Sequence, residues 1–323
     1  MKLIRKWKNA IKDRVQQFVV RRNYGTDRPN VVQLPGSRTR VHIDPDDPRA
    51  WKILVTAPLF GRIARNQTYW RDACQRLAPT LALDIGLNFG ECLFAAEYHR
   101  HTELHGFEAN PRLKPYVKRS LIEHPGRDQM HVHFGLVAAQ SGPDAEFYID
   151  RRWSGGSTAI SGLKPEEAGR YDVVKVPVIS VDTVLAPRAA SRPGGALVFK
   201  IDVEGYEFQV LQGMQRSLEA PRWSVGLIEF DTALLKKAGE SMEAYWAFLQ
   251  ERFAVFAFVR SAKAKRVREW NELTAMFRHP EFHTDLLLVS GEGDERVDEF
   301  LRDWTVGKGA DGGWDAAGRR RAA

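Results

Sequence analysis

LALDIGLNFGECLFAAEYHRHTELHGFEANP, residues 81–111, decides how this chain folds. An apolar run, Leu81 to Ile85, is broken only by Asp84 near its end. The turn Gly86-Leu87-Asn88-Phe89-Gly90 follows, then a segment of helical character from Glu91 to Tyr98. A second apolar run ends at Phe107-Glu108. Strand, glycine turn, helix, strand and acid in that order make the first half of a nucleotide-binding βαβ unit. The glycines let backbone approach a ligand, and a helix start offers unpaired N–H groups. Glu108 lies 22 residues after Gly86, where such units place a carboxylate for ribose hydroxyls.

The spacing excludes a dinucleotide. The fingerprint G-x-G-x-x-G would need glycines where Asn88 and Glu91 stand, and the turn reads D-x-G-x-N-x-G instead. An acid at Asp84 repels a pyrophosphate and suits an ammonium group. S-adenosylmethionine carries an ammonium, a ribose and no phosphate. Asp84, Gly86, Asn88, Gly90 and Glu108 are therefore the candidate cofactor residues.

At 323 residues the chain is long enough for a large buried core. No apolar run approaches the ~18 residues of a spanning helix. The basic N-terminus lacks the apolar core of a signal peptide. Cys74 and Cys92 are the two cysteines, which argues against a disulfide framework and for a reducing, cytoplasmic setting. Without an accompanying motif, both read as small buried residues. The net charge of +7 is concentrated: residues 1–22 hold eight basic side chains and one acid, whereas the body, 23–304, stands at −2. A near-neutral body argues against a nucleic-acid partner.

Residues 1–22 read as a basic amphipathic helix, 23–40 as a linker or extended arm, 41–304 as the main domain, and 305–323 as a disordered tail. Leu3, Ile4, Trp7, Ile11, Val15, Phe18 and Val19 share one helical face, a pattern suited to an anionic membrane surface contacted through residues 3–19. The inner face of the membrane is then a second location. Pro111 to Glu123 reads as a helix and His131 to Val137 as a strand. His131 and His133 share a face there, too few ligands to signal a metal by themselves. Arg151 to Arg170 is a loop whose Trp153, Ser157 and Thr158 offer an aromatic platform and hydroxyls to an acceptor. Pro187 to Gly195 reads as another loop. In Leu197-Val198-Phe199-Lys200-Ile201-Asp202-Val203-Glu204-Gly205, a central strand ends in charges, where open α/β sheets hold ligands. Tyr206 to Leu218 reads as the helix that follows. Glu229 ends the next strand, and Arg260, Lys263, Lys265, Arg266 and Arg268 form a basic stretch.

Together, DIGLNFG (84–90), FEANP (107–111), VPVISVDTVL (176–185), KIDVEGYEFQVLQG (200–213) and LIEFD (227–231) resemble the FkbM family of S-adenosylmethionine-dependent methyltransferases. Leu87 departs from the family's usual alanine. The resemblance covers roughly residues 41–290. It implies a class I methyltransferase fold: a Rossmann-like α/β arrangement of seven mostly parallel strands, helices on both faces and an antiparallel last strand. It also implies O-methylation of a hydroxyl on a sugar, glycolipid or other secondary-metabolite or glycan acceptor, small or lipid-linked. Asp84 and Gly86 to Gly90 then surround the cofactor's amino acid end, and Glu108 its ribose. Asp202 is then base or base-orienter, with Glu204 and Lys200 shaping the pocket, and the basic stretch Arg260 to Arg268 is expected to line the active-site rim and steer an anionic acceptor. Transfer without a metal is the expectation, although Asp202, Glu204 and Glu229 could hold Mg²⁺. A base-directed N-methyltransferase would show N/D-P-P-aromatic where Val203-Glu204-Gly205-Tyr206 stands. A non-catalytic glycan- or lipid-binding protein on the same fold is the alternative, opposed by the intact Asp84, Glu108 and Asp202.

Overall fold

The structure, a computed structural model, describes residues 2–160, 169–189, 194–258, 263–291 and 294–306; of residues 2–12 and 187–189 it describes the backbone alone. Its strands in chain order are β1 (Val31–Gln33), β2 (Arg40–His42), β3 (Leu81–Ile85), β4 (Glu103–Glu108), β5 (Met130–Phe134), β6 (Leu136–Val137), β7 (Gly142–Asp150), β8 (Tyr171–Ile179), β9 (Ala196–Ile201), β10 (Trp223–Asp231), β11 (Ala254–Ala257), β12 (Lys265–Val267) and β13 (His283–Gly291). Eight of them form the main sheet, in the order β12-β11-β13-β10-β9-β3-β4-β5.

From β5 to β10 the neighbours are parallel, and β13 lies antiparallel between β10 and β11. Strands buried on both faces read as near-continuous apolar runs, as in LVF of β9 and SVGLI of β10. Helix Arg65–Leu77 and helix Glu295–Trp304 cover one face with Tyr69, Trp70, Leu77, Phe300 and Leu301. The other face is covered by Val181, Leu185, Phe208, Leu211, Tyr245 and Leu249. The strand order steps outward from β3 to β5, then restarts at β9 on the opposite side. The crevice above β3 and β9 is therefore the topological switch point, where such sheets bind ligands. This is the class I methyltransferase fold, with one strand more than the seven expected. The extra strand, β12, is made by Lys265, Arg266 and Val267 pairing with Ala257, Phe256 and Val255.

A second, three-stranded sheet, β6-β8-β7, carries the acceptor-loop candidates. Its Leu136, Phe147, Ile149 and Val176 form a small core of their own, with Ala109 and Tyr206 packed against it.

Local expectations are corrected in several places. His131 to Val137 is two strands, because the chain leaves β5 at Gly135 and joins β8 through Leu136 and Val137. A Cβ on Gly135 would stand 2.8 Å from the Pro177 carbonyl, so the crossing needs a glycine. Pro187 belongs to helix Val181–Ala189, and 190–193 of the expected loop lie outside the described residues. The expected helix from Tyr206 to Leu218 is two, Glu207–Gln212 and Gln215–Glu219. The break falls at Gly213, where backbone of Ala138 passes within 2.1 Å of where a Cβ would be. In the 23–40 segment, Val32 and Leu34 are buried and β1 pairs with β2. At the C-terminus, only Thr305 and Val306 of the expected tail are among the described residues. No described helix is long and apolar enough to cross a membrane.

Candidate active site

Strand β3 delivers Ile85 to the sheet's carboxyl end, and the chain then turns through three left-handed residues: Gly86 (φ 82°), Asn88 (φ 53°) and Gly90 (φ 84°). Gly86 is required there by contact as well as by φ. A Cβ on it would lie 1.8 Å from the Asp202 carbonyl oxygen, so the β3 and β9 ends approach as only glycine permits. The Gly86 and Leu87 N–H groups donate to the Phe107 carbonyl, tying the turn to β4.

Glu91 to Tyr98 forms turns rather than a regular helix. The buried Asp84 carboxylate accepts the Leu93 N–H at 3.0 Å, diverting a donor that a helix would use internally. Arg49 adds a second restraint. It enters from the chain ahead of the sheet, donating to Asn88 Oδ1 at 2.9 Å and to Glu91 Oε1. Arg49, Gly86, Asn88 and Glu108 line one pocket with Asp202, Glu204 and Glu229.

Glu108 Oε2 accepts the Asn88 N–H at 2.6 Å and Oε1 the Asn110 N–H at 2.7 Å. Burial raises its pKa, and those two bonds work against the rise. A carboxylate has about four acceptor sites, so Glu108 keeps capacity for ligand hydroxyls.

Asp84 and Lys200 do not line the pocket; they lie beneath it. They are register partners on β3 and β9, with Nζ 3.4 Å from Asp84 Oδ1. The Lys200 ammonium donates to the Gly86 carbonyl at 2.6 Å and lies 3.6 Å from Asp202 Oδ2. Burial lifts the Asp84 carboxyl to about 7, with Lys200 opposing. The sequence placed Asp84 at the cofactor's amino acid end and Lys200 at the pocket. In the structure, side-chain alternation aims the two at each other below the turn. Gly90 is also outside the pocket lining, packed against the Phe94 ring.

Three carboxylates converge above the switch point. Asp202, Glu204 and Glu229 each offer an oxygen within 4.8 Å of the others. Glu204 sits at φ 56°, a strained conformation for a residue with a side chain. Burial first, then the Asp202 charge, holds Glu204 and Glu229 well above the usual carboxylate range. Glu229 Oε2 is buried without a hydrogen-bond partner among the described residues. Such a trio can attract a cation, take a proton or hold a hard divalent ion.

In the loop after β7, Trp153 and Ser157 line the pocket. The Ser157 hydroxyl is used internally, donating to the Ser154 carbonyl and accepting the Asp150 N–H. Thr158 lies behind the lining, donating to the Glu204 carbonyl at 2.9 Å, and so fastens the loop to the strained turn. Ser154, missed in the sequence, also lines the pocket, and its Oγ is buried without a partner among the described residues. Of the basic stretch, Arg260 is outside the described residues, and Lys263, Lys265, Arg266 and Arg268 do not line the pocket; pairing of β12 with β11 carries the chain along the far sheet edge.

Residues 84–256 match the methyltransferase FkbM domain, more than half of the chain. The chain belongs to the FkbM methyltransferase family. Solved structures are similar to this FkbM-family chain at low identity. Methyltransferase FkbM from Methylobacillus flagellatus KT is 12% identical, with 64% of this chain and 42% of that chain covered and a TM-score of 0.37. The O-methyltransferase TomG from Streptomyces achromogenes, in complex with SAM, is 12% identical over 70% of this chain and 80% of its own, at TM-score 0.36. An O-methyltransferase from Bacillus cereus, in complex with SAH, is 7% identical over 70% and 80%, at 0.37. The FkbM-family chain thus spans less than half the length of the Methylobacillus protein. No curated protein sequence matches it.

Proposed function

We propose that this FkbM-family protein transfers a methyl group from S-adenosylmethionine to a hydroxyl of a sugar, glycolipid or related glycan or secondary-metabolite acceptor. The observation carrying this reading is a single pocket that joins the Gly86–Asn88 turn and Glu108 to the carboxylates of Asp202, Glu204 and Glu229. The donor set fits the cofactor. Among the described residues its one lining cation, Arg49, is committed to Asn88 and Glu91, so the pocket suits a sulfonium ion and ribose hydroxyls better than phosphates.

Bound there, S-adenosylmethionine supplies an electrophilic methyl on a positively charged sulfur. Glu108 accepts hydrogen bonds from ribose hydroxyls, and the carboxylate trio stabilises nearby positive charge. Methylation of an acceptor hydroxyl would release its proton, and a carboxylate of the trio would receive it. Glu204 and Glu229, made more basic by burial and by the Asp202 charge, are the candidates for that proton transfer. Asp202 is placed by Asn66, which donates to its Oδ2 at 3.4 Å. Trp153 and Ser154 line the same pocket, where the acceptor would be held.

Two measurements test this. In a titration with S-adenosylmethionine, Glu108→Ala, checked for folding by circular dichroism, loses two hydroxyl contacts at about 1–3 kcal/mol each. Affinity is then expected to fall tens-fold or more, and an unchanged value would remove Glu108 from the site. Separately, S-adenosylhomocysteine release is followed with glycan and glycolipid fractions. At least one of Asp202→Asn, Glu204→Gln and Glu229→Gln should bind cofactor and lose turnover. Cofactor binding without turnover in the parent protein, whatever the fraction, would favour the non-catalytic alternative.

A further inference from the structure

We propose that Glu103, His105 and His131 form a transition-metal site, of the zinc class, that clips the sheet's edge strand β5 to β4. Glu103 and His105 stand two apart on β4, so their side chains leave the same face. In the parallel β4–β5 register, His105 lies opposite His131, and Phe107 opposite His133. The sequence shows only His131 and His133 sharing a face; strand pairing brings the buried His105 and the acid of Glu103 to them.

The distances suit a metal. Glu103 Oε1 is 2.7 Å from His105 Nε2 and 3.8 Å from His131 Nε2, and one ligand atom from each residue lies within 4.8 Å of the others. A tetrahedral ion with bonds of ~2.0–2.2 Å separates its ligands by about 3.4 Å, between the shorter and longer of these spacings. Small side-chain rotations therefore suffice. His105 is also oriented as ligating histidines are. Its Nδ1 lies 2.9 Å from His133 Nε2. With the proton on Nδ1 donated to His133, Nε2 is left as a lone-pair donor facing Glu103. Stacking of His133 on the Phe107 ring, at 4.9 Å between centroids, fixes the supporting ring in turn.

Burial is graded across the cluster. The His105 side chain is fully covered, while His131 remains 33% exposed. An ion would enter from the His131 side and keep a water as fourth ligand. Two imidazoles and one carboxylate favour Zn²⁺ over Mg²⁺ or Ca²⁺, which take oxygen ligands. Glu103 is at the opposite end of β4 from Glu108, about 16 Å away at the rise of a strand. The site is thus separate from the catalytic pocket. Its role is to pin an edge strand that pairs on one side only, and so to steady the strand that presents Glu108.

The test uses full-length protein freed of metal with a chelator. Zn²⁺ alone is titrated calorimetrically, and Co²⁺ is used for its ligand-field absorption. Expected are one equivalent per chain, a tetrahedral or five-coordinate Co²⁺ spectrum, and a Tm that rises with Zn²⁺. His131→Ala and Glu103→Gln should each weaken binding by tenfold or more and abolish the Tm rise. His131 is partly exposed, so its variant can be judged folded by retained S-adenosylmethionine binding. The double variant His99→Ala/His101→Ala, at an exposed stacked pair in the segment leading into β4, should leave Zn²⁺ binding intact. The proposal is overturned by no binding in the parent, by equal binding in His131→Ala, or by loss in the His99/His101 variant alone.

Discussion

Lys200 holds the β3 turn from below, with its ammonium shared among the Gly86 carbonyl, Asp84 and Asp202. Removing one partner of a buried charge pair leaves the other uncompensated, at about 3–5 kcal/mol. Lys200→Met is therefore expected to lower the unfolding free energy by that much, measured by denaturant unfolding, and to weaken cofactor binding through the loosened turn. Adding Asp84→Asn to it should recover part of the stability; purely additive losses would show that the pair is not coupled. Glu207, two residues beyond Gly205, makes a different prediction. Its Oε1 accepts the Val203 and Gly205 N–H groups, and its Oε2 is buried without a partner among the described residues. Burial raises this carboxyl to about 7 from its ordinary 4.5, against the pull of those N–H groups. The folded state thus holds the proton more tightly than the unfolded chain. The resulting stability is fully present below pH 4.5 and is lost as pH rises to about 7. Glu207→Gln should flatten the decline over that window, measured by denaturant unfolding at several pH values. Equal slopes in both proteins would mean that Glu207 is ionised in the fold at its ordinary pKa.

Among the elements, those that local pattern dictates could be read from sequence. β3, β9 and β10 are apolar runs that end in acids, and their pairing order follows from one fold rule, the switch point. The glycine turn was legible because Gly86, Asn88 and Gly90 mark left-handed backbone. What depends on distant partners was not legible. Glu91 to Tyr98 has helical character, and only the interior position of Asp84 shows why Leu93 donates elsewhere. Arg49 is 39 residues ahead of Asn88, in a segment with no motif, so nothing local marked it as a pocket residue. Lys200 and Asp84 were recognised as unusual charges, but whether they face the ligand or each other depends on the β3–β9 register. β12 was hidden by its charge: Lys265 and Arg266 look like loop chemistry, yet an edge strand tolerates and favours such residues. The Arg266 guanidinium lies over the Phe256 ring, which makes its charge compatible with that strand. The two cysteines, by contrast, needed only the absence of a motif: both are buried, and burial raises their thiols well above the usual range.

For the whole molecule, the question is where its uneven charge meets its partner. The excess of positive charge sits in residues 1–22, on helix Lys2–Tyr24. That helix is anchored at its C-terminal end by Val20, which is fully buried in the domain core. On the apolar face read from sequence, Val15 is 49% and Phe18 66% exposed. Leu3, Ile4, Trp7 and Ile11 on the same face have side chains outside the described residues. Val15 shares a groove with Phe60 and Ile63, both exposed as well, and Lys52 and Arg62 line that groove beside them. Exposed aromatic and aliphatic side chains bordered by cations are the surface chemistry of an anionic bilayer interface. Each basic side chain near such a surface adds about 1 kcal/mol. Docking there would bring a lipid-linked acceptor to the pocket. Cutting off the helix is a poor test, because Val20 would leave the core with it. Phe18→Asp in the full chain keeps the anchor and removes the apolar contact. The parent protein should float with vesicles containing phosphatidylserine and stay behind with neutral vesicles, and Phe18→Asp should float several-fold less. Equal flotation of parent and variant, with folding of both confirmed by cofactor binding, would show that this face meets no membrane.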